Sequence, residues 1–380
     1  MPLVFCLSIF LTKICGIIII QLIKYKVERF LEKGGKMLEQ GLVQVYTGNT
    51  SRINLAHIGL CLRATGQKLR IFVMGFLAHP FIETENKALS LLTPHIMVEH
   101  LSLRNISPEK GPDRNNSKRI SRSLERIQEV MRSNDFDIVM LQGINELISS
   151  GVIPEDKING IIKARPHKVE LVLTGSNATN AIIEQADLVT EMVEHKCEEG
   201  TMNLDGKSKK GSIEIVTGNG KGKTTYSIGR AMFFAANEMQ SSILQFIKSP
   251  QAYGEVIAIE KFPNLEIKSM GKGFIFGPPK DSGKHIEAAK NAWAAAEKEV
   301  LSAKSRLIVL DEINIATNLG LLHQDLIKNL LSSKPKDMHI ILSGRNAHPD
   351  IQAIASSVIE MKEIKHPFNK GIKARKGIEY

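Results

Sequence analysis

The sequence predicts an α/β protein made of two tandem copies of one domain, each with a mostly parallel sheet flanked by helices. Three observations support this prediction: a repeated order of short motifs, an alternation of apolar runs with helical segments, and a length of 380 residues, which suffices for two cores. With 43% hydrophobic and 24% charged residues, the composition is that of a globular chain.

The repeat is visible as matched motifs that keep one spacing. "TGN" at 47–49 returns at 217–219, and "LTGSN" at 173–177 returns as "LSGRN" at 342–346, so the two offsets agree to within a single position. "MLQGIN" and "VLDEIN", "IIKARP" and "LLSSKP", and "VTEM" and "VIEM" hold the same register. The chain therefore divides into an apolar leader (1–36), a first copy (37–198), a polar linker (199–210) and a second copy (211–380).

Alternating strands and helices predict the sheet of each copy. In the second copy the apolar runs 213–216, 242–247, 306–310 and 338–343 have the length and composition of buried strands. Segment 281–303 predicts the longest helix, with Asp281 or Ser282 as its cap and Trp293 in the core. In the first copy, segment 104–123 is polar and contains Pro and Gly, which predicts a mobile loop.

Charge and cysteine content disfavour several classes of protein. Lysine and arginine excesses in 1–36, 203–212 and 362–380 account for the whole net charge of +10, so the body of the chain is neutral. We therefore expect no nucleic-acid partner. The four cysteines form no CxxC pair, which argues against a zinc site or a disulfide framework and favours a reducing compartment.

The apolar stretch from Pro2 to Ile23 has two interpretations. As a membrane span it would hold the domains on the cytoplasmic side, because five basic residues follow it, although Lys13 within it costs about 2.5 to 3.5 kcal/mol. Alternatively, translation starts at Met37, directly before the first predicted strand. Both interpretations predict that the folded domains are cytoplasmic.

A glycine-rich loop follows the first strand of the second copy, in "VTGNGKGKTT" (216–225). In such loops, backbone amides and the next helix N-terminus bind phosphates, lysine adds a positive charge, and a threonine hydroxyl reaches Mg²⁺. A second motif, "RLIVLDE", ends a predicted strand in Asp311 and Glu312, which could hold Mg²⁺. Together they predict nucleoside triphosphate binding and a P-loop NTPase-like (RecA-like) fold for each copy, although Thr217 stands where the strict motif has glycine.

The first copy lacks these groups. At the repeat spacing, Lys223 and Thr224 are replaced by Ile53 and Asn54. Asp311, Glu312 and Arg345 are replaced by Gln142, Gly143 and Ser176. Because these replacements remove the ammonium and the carboxylates, we predict that the first copy keeps the fold but does not bind MgATP.

Six motifs of the second copy are typical of one family: "TGNGKGKTT", "LQFIKS", "MGKGFIF", "VLDEIN", "LSGRN" and the closing "KHPFNKGIKARKGIEY". In these motifs the chain resembles the corrinoid adenosyltransferases, which convert cob(I)yrinic acid a,c-diamide or cob(I)alamin to the adenosyl form. The resemblance covers the second copy from end to end and the first copy more loosely, as a degenerate domain. It implies an ATP-dependent transferase in which a Co(I) corrinoid attacks C5′ of ATP and triphosphate leaves.

The resemblance also implies residue roles. The catalytic residues are Lys223, Thr224, Glu312 and Arg345; Mg²⁺, or Mn²⁺ in its place, belongs to Thr224, Asp311 and Glu312. The nucleotide-binding residues are Gly218, Asn219, Gly220, Lys221, Gly222, Lys223, Thr224 and Thr225. Phe274 and Phe276 match the aromatic side chains that displace the lower axial ligand of cobalt, although the second is more usually Trp. A flavin-type reductase is a candidate electron donor.

Single-copy members of that family are homodimers in which an N-terminal segment of one subunit lies over the other's site. The resemblance therefore predicts an intramolecular pseudo-dimer, or a homodimer of chains, with the first copy as a scaffold or lid. Two other classes stay open: another P-loop ATPase or kinase, and a non-catalytic corrinoid-binding protein.

Overall fold

A computed structural model describes residues 38–50, 52–103, 113–198, 204, 206–208, 210–273 and 282–380. The leader, the predicted cap Asp281, and Phe274 and Phe276 lie outside the described residues. Within the described ranges, no helix is long and apolar enough to cross a membrane.

In its described residues, the first copy contains six strands and six helices. Its strands are β1 (Val43–Gly48), β2 (Ile71–Leu77), β3 (Ile96–Leu103), β4 (Ile138–Gln142), β5 (Glu170–Thr174) and β6 (Leu188–Cys197). Its helices are α1 (Asn54–Gly66), α2 (Ile82–Ser90), α3 (Arg114–Arg132), α4 (Ile144–Ser149), α5 (Glu155–Lys163) and α6 (Asn180–Gln185).

The second copy repeats this order. Its strands are β7 (Ile213–Thr217), β8 (Ser241–Gln245), β9 (Leu265–Ser269), β10 (Leu307–Asp311), β11 (His339–Ser343) and β12 (Ser357–Lys365). Its helices are α7 (Lys223–Ala236), α8 (Gly254–Ala258), α9 (Ser282–Ser302), α10 (Ile313–Asn318), α11 (Gln324–Ser333) and α12 (Pro349–Ile354), with short 3₁₀ turns at Ile259–Lys261 and Pro367–Lys370. Trp293 packs in the core of this copy, as predicted.

The twelve strands of the described ranges form one sheet in the order β3-β2-β4-β5-β1-β6-β12-β7-β11-β10-β8-β9. The second half of this order is the first half reversed, with each strand replaced by its counterpart. Neighbouring strands pair in parallel within each copy, whereas β6 and β12 pair antiparallel where the copies meet. There Met192 lies opposite Met361, its own counterpart in the repeat. The predicted tandem α/β fold is confirmed, and the copies are related by a pseudo-twofold axis.

Two glycines bring the copies together on one face of the sheet, where α1 packs on α7. A Cβ on Gly59 would overlap the carbonyl oxygen of Thr225, and a Cβ on Gly229 would overlap that of Leu55. Gly59 and Gly229 occupy equivalent positions of the repeat, so the two helices cross at matching points. One apolar core, with residues of both copies, surrounds this crossing.

The prediction of a mobile loop at 104–123 is wrong for its second part, because α3 begins at Arg114. The Asp113 carboxylate caps this helix by accepting a hydrogen bond from the Asn116 amide at 2.7 Å. Ile120 and Ile127, which lie within a largely polar sequence, are buried against the sheet. A narrow apolar stripe therefore suffices for a helix here, and composition alone concealed it.

Candidate nucleotide site

A hollow lies at the carboxyl ends of β7, β10 and β11, the edge where parallel α/β sheets bind ligands. Its volume is about 580 Å³. The glycine loop from Asn219 to Thr225 forms one wall, and Glu312, Arg345 and Lys248 face it from other elements. This cavity is the second-copy site.

The glycine loop has the backbone that only glycine accepts readily. Gly218 and Gly222 have φ of 93° and 112°, in the left-handed region. Gly220 donates its amide hydrogen to Met361 O at 2.7 Å, and a Cβ there would crowd the backbone of β12. Gly220 thus fixes the loop against the sheet, while the amides at the start of α7 line the cavity, with no acidic residue in the first turn.

Lys223 is folded back toward the glycine loop. Its Nζ donates to Gly220 O at 2.7 Å. Burial and the Arg345 guanidinium lower the pKa of Lys223 to about 8, although the carboxylates of Glu312 and Asp311 act to raise it. A buried ammonium that faces a phosphate-sized hollow is suited to receive an anion, because the anion would restore the stabilisation that burial removes.

Asp311 is fully buried and anchors the carboxylate side of the site. Ser343 Oγ donates to its Oδ1 at 2.5 Å, Gln245 Nε2 to its Oδ2 at 3.0 Å, and Thr224 Oγ1 to its Oδ1 at 3.0 Å. The structure thereby brings Thr224, at the start of α7, together with Asp311, at the end of β10. These residues belong to the two motifs from which the sequence predicted a triphosphate site.

Glu312 is held in an unusual backbone conformation beside Asp311. Its φ of 64° lies in the left-handed region. Its counterpart in the first copy is Gly143, whose φ of 78° lies in the same region. Burial and the adjacent Asp311 carboxylate raise the pKa of Glu312 to about 7. Its buried Oε2 finds no hydrogen-bond partner among the described residues. Such strain and unsatisfied charge are typical of functional residues.

The oxygen donors around Thr224 suit Mg²⁺. Mg²⁺ prefers hard oxygen ligands and is usually bound by one or two carboxylates plus substrate phosphates, without a full protein cage. A hydroxyl, a fixed carboxylate and the unsatisfied Oε2 of Glu312 provide that kind of set. The described residues accordingly contain no group of three or more His, Cys, Asp or Glu side chains that would enclose a metal by themselves.

Three predicted phosphate ligands have other contacts. Arg345 is exposed at the rim, with its Nη2 at 3.5 Å from Asn219 O, so it can turn toward a ligand. Lys221 instead forms an ion pair with Glu379, with Nζ at 2.8 Å from Oε1. Thr225 donates its hydroxyl to Gly222 O at 3.1 Å. The structure therefore brings the predicted loop residues to one cavity, but Lys221 faces the C-terminal tail.

The first copy keeps a hollow of about 510 Å³ at the equivalent edge. Ile53 and Gln142 line it in place of Lys223 and Asp311, and among its described lining residues there is no lysine or arginine. Glu146 adds a negative charge. A triphosphate would meet no lysine or arginine side chain among those residues.

Comparison with known proteins finds the same family in both halves of the chain. The family model "ATP:corrinoid adenosyltransferase BtuR/CobO/CobP" matches residues 39–206 and again residues 209–380. The chain belongs to this family. It is therefore a member of a group of ATP-dependent transferases, in a tandem arrangement.

Individual relatives support the same assignment. A corrinoid adenosyltransferase of Sinorhizobium sp. is 37% identical over 175 residues, covering 45% of this chain and 81% of the relative. One from Pseudomonas aeruginosa is 33% identical over 175 residues, covering 46% of this chain and 86% of the relative. An uncharacterized protein of Nostoc sp. is 26% identical over 366 residues, covering 90% of this chain and 95% of the relative, so that alignment includes both copies.

The second-copy site also contains residues that the motifs of the second copy did not predict. Gln44, Tyr46, Leu60 and Arg63 of the first copy line it. Arg63 Nε donates to Glu255 Oε2 at 2.8 Å, and Lys248 donates to Glu255 Oε1 at 2.8 Å. Burial alone would raise the pKa of Glu255, but Arg63 and Lys248 hold it well below its ordinary value. No motif of the sequence links Arg63 to the other copy, so this contact could not be predicted from the sequence.

The predicted corrinoid-facing residues Phe274 and Phe276 lie outside the described residues, so their placement stays a prediction.

Proposed function

We propose that the second-copy site transfers the 5′-deoxyadenosyl group of ATP to the Co(I) centre of a corrinoid. In this reaction the Co–C bond forms as the C5′–O bond breaks, the electron pair of cobalt enters the new bond, and triphosphate leaves. One observation carries the proposal: the glycine loop, Lys223 and Glu312 line one cavity of the second copy, where Thr224 also bonds Asp311, and these groups are replaced in the first copy.

The chain's own residues would stabilise the leaving group. In this proposal the N-terminal amides of α7 and the Lys223 ammonium take the negative charge that grows on triphosphate. Thr224, Asp311 and Glu312 would hold Mg²⁺, or Mn²⁺, which supplies further positive charge when bound. Arg345 would close on the phosphates from the rim.

The first copy would serve as a scaffold for this site. Tyr46 and Arg63 approach it from the first copy, and Arg375 of the C-terminal tail bonds Glu170 of β5 with Nη1 to Oε2 at 2.6 Å. These contacts support the predicted intramolecular pseudo-dimer, in which ATP and the corrinoid bind between the copies. Reduction of the corrinoid would come from a separate donor, with a flavin-type reductase as a candidate.

The test is a direct assay of both products. The protein is mixed with MgATP and a chemically reduced corrinoid, the cobalt spectrum is followed, and the phosphate product is identified. We expect the adenosylcorrinoid and triphosphate; ADP or inorganic phosphate would instead indicate the kinase or ATPase alternative. A protein that binds the corrinoid equally well with and without Lys223, and turns over neither substrate, would be the non-catalytic alternative.

Matched variants separate the two copies. Thr224→Ala should lower turnover by about 100-fold, as for removal of one group that stabilises the leaving charge. Asn54→Ala changes its counterpart in the first copy and should leave turnover within about twofold, because that hollow is not expected to bind nucleotide. Equal losses in the two variants would contradict the assignment of the reaction to the second copy.

A further inference from the structure

We infer that the interface between the copies is selective: the second copy pairs with a first copy in preference to another second copy. The pseudo-twofold axis gives every contact across the interface a counterpart, obtained by replacing each first-copy residue with its equivalent in the second copy. At three places, an ion pair that contains a buried carboxylate joins the copies, and the counterpart of its first-copy member could not replace it.

The first place is Arg52, which lies in the former glycine loop of the first copy. Its side chain is fully buried, and Nη1 donates to Glu214 Oε2 at 2.7 Å and to Ser357 Oγ at 2.8 Å, both in the second copy. The counterpart of Arg52 is Gly222. A pair of second copies would therefore set a glycine against Glu214 and leave a buried carboxylate without its cation, which strongly destabilises an interface.

The second place is Arg63 on α1. Its guanidinium bonds both carboxylate oxygens of Glu255, at 2.8 Å and 3.2 Å. The counterpart of Arg63 is Phe233 on α7, so a pair of second copies would lose both hydrogen bonds and keep Lys248 next to Glu255. The two copies differ in a complementary way. The first copy has this arginine but not the glycine loop, and the second copy has the loop but not the arginine.

The third place is Arg375 in the tail of the second copy. It bonds the fully buried Glu170 of the first copy with two nitrogens, at 2.6 Å and 3.0 Å. The counterpart of Glu170 is His339, which offers no carboxylate. The three pairs lie on different elements, and all three favour the mixed pair over the pair of second copies.

Reassembly of a cleaved chain tests the preference directly. A protease recognition sequence is inserted within residues 199–203 of the full chain, the folded protein is cleaved, and the halves are separated in urea and reassembled by dilution. Native mass spectrometry should detect the mixed pair, with pairs of second copies at roughly one hundredth of it or less, since the loss of each of these ion pairs disfavours assembly by at least about tenfold. Pairs of second copies at the fraction expected from random association would overturn the proposal.

One variant should relax the preference. Glu214→Gln gives the second copy the residue that the first copy carries at Gln44, and it removes the buried charge. Pairs of second copies should then rise at least about tenfold relative to the unaltered halves. No rise would mean that Glu214 does not set the preference, which also contradicts the proposal.

A mutant cycle on the uncleaved chain provides a second readout that does not need reassembly. Arg52→Met and Glu214→Gln should each lower the thermal midpoint, and the double variant should recover more than half of the summed loss, because neither group is then left buried alone. The exposed pair Lys328–Asp350 is the control, and Lys328→Met with Asp350→Asn should change little. Additive losses at Arg52 and Glu214 would overturn the proposed pairing.

Discussion

Glu312 allows the stability cost of a functional residue to be measured, because its counterpart in the first copy, Gly143, provides the reference residue. We predict that Glu312→Gly stabilises the protein while abolishing adenosyl transfer. Two effects contribute, one from the backbone and one from the charge. Gly143 occupies the same position in the first copy, with the same left-handed backbone, so the substitution has a precedent within the chain.

The backbone effect is independent of pH. A side chain in the left-handed region costs about 1 to 2 kcal/mol, and the greater freedom of glycine in the unfolded chain offsets part of the gain. We therefore expect Glu312→Gly to gain about 1 kcal/mol from relief of the φ of 64°. Glu312→Gln keeps the Cβ and should not gain this amount, so the difference between the two variants isolates it.

The charge effect depends on pH in a defined direction. Burial and Asp311 raise the pKa of Glu312 from 4.5 to about 7, so the folded state binds this proton more tightly than the unfolded chain. The carboxyl therefore costs stability as pH rises above 4.5, and the whole cost is present above about 7. At about 1.36 kcal/mol for each pKa unit, the penalty is about 3 kcal/mol at pH 8 and about 1 to 2 kcal/mol at pH 5.5.

Urea unfolding at pH 8 and pH 5.5 measures both effects. Glu312→Gly should raise the free energy of unfolding by about 4 kcal/mol at pH 8 and by about 2 to 3 kcal/mol at pH 5.5. Glu312→Gln should show the pH-dependent part alone, and both variants should lose adenosyl transfer. A loss of stability in Glu312→Gly at pH 8, or a gain equal at both pH values, would refute the reasoning.

Three further predictions concern other parts of the chain. Lys223 has a pKa of about 8 and must carry its proton to bind an anion. ATP affinity, measured by calorimetry, should therefore fall as pH rises from 7 to 9, by up to about tenfold per pH unit. Lys223→Arg should remove this pH dependence, because arginine stays protonated. Gly229→Ala should cost about 1 to 3 kcal/mol in urea unfolding and weaken ATP binding, since α7 must move off Leu55 and carries Lys223 with it, and unchanged stability would contradict the close crossing. Asp113→Ala should cost about 1 kcal/mol by removing the cap of α3 without affecting turnover, whereas Asp113→Asn should retain most of the stability.

The repeat and the phosphate-binding motif are properties that local sequence determines. Glycines at 218 and 222 are needed for left-handed backbone, and apolar runs such as 307–310 are needed for buried parallel strands, so both are readable without a structure. The sequence equally shows that the first copy has other residues in place of Lys223 and Asp311, because the constant spacing of the repeat aligns each position with its counterpart.

Only the tertiary structure decided how the two copies depend on each other. Arg63 and Arg52 lie far along the chain from the carboxylates they pair with, and the pairing follows from the antiparallel junction of β6 with β12 and the crossing of α1 with α7. The helix α3 likewise depends on Ile120 and Ile127 meeting the sheet, which outweighs a polar composition. Sequence thus determined the local chemistry of one site, whereas long-range packing decided which residues of the other copy complete it, because burial and charge pairing depend on neighbours distant in the chain.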